Sequence, residues 1–229
     1  MYSLSRRCLA EFIGTLALIF VGVGSILSDR VTGGGVSLVG IALAHGLTIA
    51  VMASAFGHVS GGHLNPAVTF GAWIARKISA GDALAYGISQ LAGGVAGAAL
   101  LMHVFDSATR QAASLGTPAL GAGVTGMQGL TFEIIATFFL VLVVCATAID
   151  PRGAFTVVSG LPIGFVVAFD ILAGGPITGA AMNPARAFGP ALVGGFWTNH
   201  WIYWVGPLAG GALAALLYSR LFLRRADVA

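Results

Sequence analysis

Two short stretches carry the residues best suited to chemistry: residues 61–71, GGHLNPAVTFG, and residues 179–190, GAAMNPARAFGP. Both contain Asn-Pro-Ala, as Asn65-Pro66-Ala67 and Asn183-Pro184-Ala185. Asn is a preferred N-cap, and Pro is favoured at the first helical position, where its missing N–H costs nothing. Each triplet therefore predicts a helix start. A capping Asn spends its side-chain oxygen on its own helix, which leaves the NH₂ free to donate outward. The helix end adds roughly half a positive charge. Two such ends facing each other would grip the oxygen of a small polar molecule and repel cations, protons included, while neutral molecules pass. The plainer reading is that Asn-Pro only caps two re-entrant turns. A second copy at the matching place in a repeat favours the pore.

Six other residues belong to the same chemistry or lie beside it. Arg186 follows Asn183 by three residues, one turn along the second short helix, where its counterpart is Val68. An Arg within a membrane costs about 3 kcal/mol or more unless it lines water or is paired. It is read as a pore-lining cation, against a stem that snorkels to the surface. Glu11 and Glu133 lie inside apolar stretches and must be hydrogen-bonded. The loops that enter the two short helices have unpaired N–H groups, so each glutamate is expected to anchor one loop. A proton relay is the rival role. His45 sits in a stretch bare of charge and is read as pore-lining. His63, two residues before Asn65, is placed in the inner vestibule, and His58 at the start of the loop.

The elements that must position these groups are legible from composition. The 229 residues are 57% hydrophobic and 8% charged, with mean hydropathy +0.93. A soluble domain carries about 25% charge. Six stretches are long enough to span a bilayer: residues 8–27, 36–56, 83–103, 130–149, 157–172 and 201–222. The apolar runs behind the two Asn-Pro-Ala triplets, about 65–76 and 183–193, are too short to span and are expected as half-helices. The predicted fold class is an all-α membrane protein with six transmembrane helices and two re-entrant half-helices. A single domain over 1–229 is expected, with one repeat at about 8–103 and another at about 130–222. Glu11-Phe-Ile-Gly-Thr15 matches Glu133-Ile-Ile-Ala-Thr137, and Leu91-Ala-Gly-Gly94 matches Leu208-Ala-Gly-Gly211. Three spans per copy invert the second copy in the membrane, which brings the half-helices together near the midplane.

Charge sets the orientation. With the N-terminus inside, Arg6, Arg7, Arg76, Lys77, Arg152, Arg220, Arg224 and Arg225 face the cytoplasm, against Arg30 and Arg110 outside. The net charge of +3 follows from this placement and calls for no nucleic acid. Cys8 and Cys145 fall in apolar stretches and read as packing residues. Gly93/Gly97 and Gly206/Gly210 have the spacing of close helix crossings. Trp197, Trp201, Tyr203 and Trp204 read as an interfacial aromatic belt, with His103 and His200 near span ends. Asp170 in the fifth stretch has three open readings: contact with solvent, a pair with an outer loop, or a bias on His45.

The doubled Asn-Pro-Ala, the repeated glutamates and the Arg after the second triplet together resemble the aquaporin, or major intrinsic protein, family over essentially the whole chain. The resemblance implies the aquaporin fold, a homotetramer with one pore per subunit, and a narrow aromatic/arginine filter. Counting from the two asparagines carries the filter to His45, Ile171, Ala180 and Arg186. Water-strict members tend to place Phe first and His second; the set here resembles the tonoplast intrinsic proteins, as do SGGHLNPAVTFGA, ILAGGP, MNPARAFGPA and WTNHWIYWVGPL. Short termini, compact loops and high Ala/Gly/Arg content look bacterial, which implies a multi-pass protein of the cell membrane; a plant source would imply the vacuolar membrane. A wider, partly apolar filter implies passage of ammonia, with hydrogen peroxide or urea, alongside water. Ala187 after the filter Arg and the Tyr203-Trp204 pair follow the water type rather than the glycerol type. Some relatives with widened permeability carry a His in the loop between spans three and four; Pro118 stands there.

The expected function is therefore a passive channel for water and small neutral solutes in a lipid bilayer. A glycerol-type facilitator and a secondary transporter are the alternatives. No acidic cluster suggests coupling to protons or sodium. Neither a His/Cys/Asp cluster with metal spacing nor a Ser/His/Asp set is in reach, so no enzyme, metal or cofactor is expected.

Overall fold

The structure is a computed structural model, and it describes residues 2–153 and 158–223. Residue 157, the first of the fifth apolar stretch, lies outside the described residues, as do Arg224 and Arg225. Among the described residues the regular structure is helical. Six helices are long and apolar enough to cross a membrane. They are α1 (Leu4–Val31), α2 (Ser37–Ser60), α4 (Ala80–Val104), α6 (Gly126–Ile149), α7 (Gly160–Thr178) and α9 (Ile202–Leu221). The short α3 (Pro66–Ile74) and α8 (Pro184–Gly194) follow α2 and α7, and α5 (Ser107–Ala112) is a surface turn. The fifth span runs past residue 172 to Thr178, through Pro176. Apolar sequence alone does not mark that end; Gly179, at φ 80, does.

Local chemistry starts the half-helices. Asn65 has an extended backbone and its Oδ1 accepts from Ala67 N. Asn183 does the same for Ala185 N and Arg186 N. Pro stands at the first helical position in both. Three residues in the loops leading into them have left-handed backbones without being glycine: Leu64 at φ 51, Ala180 at φ 43 and Met182 at φ 51. Each costs about 1–3 kcal/mol and persists only where its surroundings dictate it.

The long helices cross closely. A Cβ on Gly97 would stand 2.7 Å from the Leu16 carbonyl oxygen and 2.9 Å from Ile19 Cβ, so α1 and α4 meet backbone to backbone. Gly206 gives α9 the same approach to Glu133 of α6. Leu18, Ile19, Leu140, Val141 and Ile163 pack inward around the half-helices. Val51, Ile88, Phe165 and Leu213 face outward, where lipid would cover them. Tyr203 departs from the belt expected of it: it is fully buried, and its hydroxyl donates to the Thr178 carbonyl at 2.9 Å. Trp197 and Trp201 are exposed. Cys8 and Cys145 are free thiols.

One end of the bundle gathers the basic residues. Arg7 pairs with Asp82 at 2.9 Å. Just past α6, Arg152 grips Asp150 through Nε and Nη2 and also donates to the Phe222 carbonyl at the end of α9. The Arg152 guanidinium holds the Asp150 carboxyl well below the usual carboxylate range. A depressed carboxyl pKa gives stability that is present above the unfolded pKa and lost only as pH falls through the folded one. This clasp therefore survives mild acid. Gly97→Ala should lower the thermal midpoint of the detergent-solubilised protein by overpacking the α1–α4 crossing, worth about 1–3 kcal/mol. An unchanged midpoint would mean that the crossing has slack.

Candidate functional site

The site is built outward from two buried carboxylates. Glu11 is fully buried. Its Oε1 accepts from Ser60 Oγ at 2.6 Å and His63 N at 3.0 Å, and its Oε2 from Leu64 N at 2.6 Å and Gln90 Nε2 at 2.7 Å. Glu133, also fully buried, takes Thr178 Oγ1 and Ala181 N on Oε1 and Met182 N on Oε2, at 2.7–2.9 Å. Hydrogen bonds to a charged group contribute about 1.5–3 kcal/mol each. These are the bonds that hold Leu64 and Met182 at positive φ. The tyrosines complete the correspondence, with Tyr86 donating to the Ser60 carbonyl and Tyr203 to that of Thr178.

So held, the two Asn-Pro-Ala starts meet in the centre. Asn65 Nδ2 donates to the Met182 carbonyl at 2.9 Å, and Asn183 Nδ2 donates to the Leu64 carbonyl at 3.0 Å. Capping alone would leave both NH₂ groups free to donate outward. Each in fact spends one N–H across the junction, because the strained loop residue of the other repeat turns its carbonyl there. One N–H per asparagine remains to face the space between them.

Three cavities follow one another through the bundle. The cavity at the end away from the basic residues is about 250 Å³, with His45, Gly116, Pro118, Ile171 and Arg186 on its wall. The narrow middle one is about 30 Å³ and takes in His45, Ile171, Ala180, Arg186, Asn65, Asn183 and His63. A water needs about 10–15 Å³ of such volume, so there is room for about two or three at a time. The cavity at the basic end is about 340 Å³, with His63, Tyr86, Arg7 and Lys77 among its walls. His45, Ile171 and Arg186 belong to both the first and the second; His63 belongs to both the second and the third. All four residues counted from the asparagines thus line the middle space.

Their chemistry is mixed. Arg186 is buried, and its Nη1 donates to the Gly116 carbonyl at 2.8 Å, which fixes the guanidinium and leaves other N–H groups for the cavity. His45 Nδ1 meets the Ile41 carbonyl at 2.9 Å. A carbonyl only accepts, so Nδ1 carries the proton. Nε2 is then an acceptor, and it is buried without a protein partner. Ile171 and Ala180 supply apolar walls. Asp170 is buried with Oδ2 unpartnered and lines none of the three cavities. The solvent reading of it fails, and nothing in the structure explains this residue.

Several participants escaped the sequence reading. Tyr86 and Tyr203, and Ser60 and Thr178, stand at the same offsets as the motifs that define the repeat, so the signal was present. Gly22 gave none. A Cβ there would stand 2.6 Å from His45 Nε2, so this glycine makes room for the imidazole.

A family model described as Major intrinsic protein matches residues 1–218. Aquaporin TIP1-2 of Zea mays is 46% identical over 225 residues, covering 96% of this chain and 87% of the relative. Probable aquaporin TIP3-2 of Arabidopsis thaliana is 48% identical over 231 residues, covering 95% and 84%. Among solved structures, the aquaglyceroporin from Plasmodium falciparum matches with a TM-score of 0.89 at 24% identity, over 99% of this chain and all of that one. At that identity the likeness is one of fold.

Two substitutions separate anchor from lining. Glu133→Gln turns an NH₂ toward loop N–H groups and leaves one of them unpaired, a loss of about 1–3 kcal/mol. Folded yield and thermal midpoint should fall, while the surviving protein keeps its selectivity. Gly22→Ala should instead leave the midpoint nearly unchanged and reduce water flux in proteoliposomes, by pushing the His45 ring into the narrow cavity.

Proposed function

The chain belongs to the major intrinsic protein family, and on that premise we propose that it is a passive water channel whose filter also admits ammonia and other small neutral solutes. The observation that carries this reading is the row of three cavities that narrows at His45, Ile171, Ala180, Arg186 and the two asparagines. Water entering the narrow part meets donors from Arg186 and the edge of the His45 ring. At the centre it meets one N–H from each asparagine cap. A molecule bound there gives its lone pairs to both caps, so it has none left to accept from the next water, and a proton has no wire to follow. The half-helix ends, each worth about half a positive charge, and the Arg186 cation raise the barrier for every cation.

Ammonia suits the same filter. It can accept from Arg186, and it tolerates the apolar face of Ile171 better than a larger polyol does. The Zea mays relative is named an aquaporin and the Arabidopsis thaliana one a probable aquaporin, which supports water as the first cargo. We assign residues 1–229 to one channel domain of two inverted repeats, at about 8–103 and 130–222. Its assembly is a homotetramer with a pore in each subunit. The excess of basic residues at one end supports cytoplasmic termini and a place in the cell membrane; in a plant cell the membrane would be vacuolar.

Stopped-flow measurement of water, ammonia, urea and glycerol fluxes in the same proteoliposomes tests this reading. Water and ammonia fluxes should rise well above those of protein-free vesicles, linear in gradient, with glycerol lowest. Saturating flux would indicate a carrier. His45→Phe should remove most of the ammonia flux and retain water; equal ammonia flux in the variant would take His45 out of the filter. Arg186→Ala should raise urea or cation leak, and unchanged selectivity would do the same for Arg186.

A further inference from the structure

The anchoring network has a part that only one repeat possesses. Gln90 and Thr69 are buried beside Glu11. Gln90 Nε2 donates to Glu11 Oε2 at 2.7 Å and to Thr69 Oγ1 at 2.9 Å, and Thr69 Oγ1 lies 3.1 Å from His63 Nδ1. In the second repeat the corresponding positions are Pro207, Ala187 and Ala181. Glu133 still collects three donors there and holds its loop in the same shape. A half-helix therefore needs no such relay to be anchored, and the relay serves something else.

The protons in the relay are determined one after another. Glu11 accepts from four donors, so the Gln90 amide must turn its NH₂ toward the carboxylate. The reverse orientation would set oxygen against oxygen. That orientation leaves Gln90 Oε1 buried without a partner, which a purely structural glutamine would avoid. The second N–H of the same NH₂ goes to Thr69 Oγ1. A hydroxyl that accepts from Gln90 has one proton to give, and the acceptor within reach is His63 Nδ1. Nδ1 is then unprotonated, and the neutral ring carries its proton on Nε2.

We propose that Gln90, acting through Thr69, is a positioning residue that fixes His63 as the Nε2–H tautomer, so that the inner vestibule presents a donor near Gly61. His63 lines both the narrow cavity and the one at the basic end. The two pore histidines then hold opposite tautomers: His45 carries its proton on Nδ1 and His63 on Nε2, on opposite sides of the asparagines. A water leaving Asn65 meets a second donor in succession and keeps its lone pairs toward the protein. A hydronium ion, with no lone pair to spare, can accept from neither Asn65 nor His63. The inference rests on the conduit reading above, but water flux and tautomer are measured separately, so either can fail alone.

The test is ¹⁵N NMR of the imidazoles, with His63 assigned through a His63→Gln control, in proteoliposomes at a pH where the ring is neutral. The wild type should show His63 Nδ1 at a pyridine-type shift and Nε2 at a pyrrole-type shift. Thr69→Val should collapse this pattern toward averaged shifts, and Thr69→Ser should restore it. A protonated Nδ1 in the wild type overturns the proposal without any variant. So does a Thr69→Val protein whose pattern is unchanged. Should Thr69→Val fail to fold, Gln90→Met, which frees the hydroxyl to reverse, must shift the same resonances; if it does not, the assignment of Gln90 is wrong.

Discussion

A carboxylate placed inside an apolar helix is the constraint on which the rest of this molecule depends. Glu11 and Glu133 could not remain buried without donors, and the two loops could not remain buried without acceptors. Each need is met by the other. The exchange forces Leu64 and Met182 into left-handed backbones, which turns their carbonyls toward the opposite repeat. There they accept from Asn183 and Asn65. Thus the bonds that hold each loop also hold the two helix caps against each other, and the remaining N–H of each cap has one direction left to point.

Scaffold and lining obey different rules. The scaffold is symmetric: glutamate, hydroxyl, left-handed residue, asparagine and tyrosine recur in both repeats with the same partners. The lining is not. Val68 faces Arg186 across the pseudo-two-fold, and His63 faces Ala181. Symmetry places the two half-helices; its breaking gives each end of the path its own polarity. A channel that must select at one end and release at the other requires that division.

Much of this was legible in the sequence, for physical reasons. Low charge and long apolar runs betray spans, Asn-Pro betrays a helix start, and a repeated phrase betrays a repeat. Counting from the asparagines brought His45, Ile171, Ala180 and Arg186 to one cavity wall. What could not be read depends on distance between segments remote in sequence. The crossed amide bonds need the strained carbonyls, which no residue type announces. Gly22 makes room for a ring more than twenty residues away. Tyr203 looked interfacial because it sits among tryptophans near a span end, but helix periodicity turns it inward, toward the Thr178 carbonyl. Asp170 is unexplained in sequence and structure alike.

The central claim is that the two capped half-helices bind water through its lone pairs and so interrupt any proton path. The most direct measurement follows water and proton fluxes together in one preparation of proteoliposomes, with a shrinkage signal for water and an entrapped pH dye for protons. Fast water flux with proton flux no greater than in protein-free vesicles is the result expected here. Proton flux that rises in step with water, or water flux at the protein-free level, would contradict it.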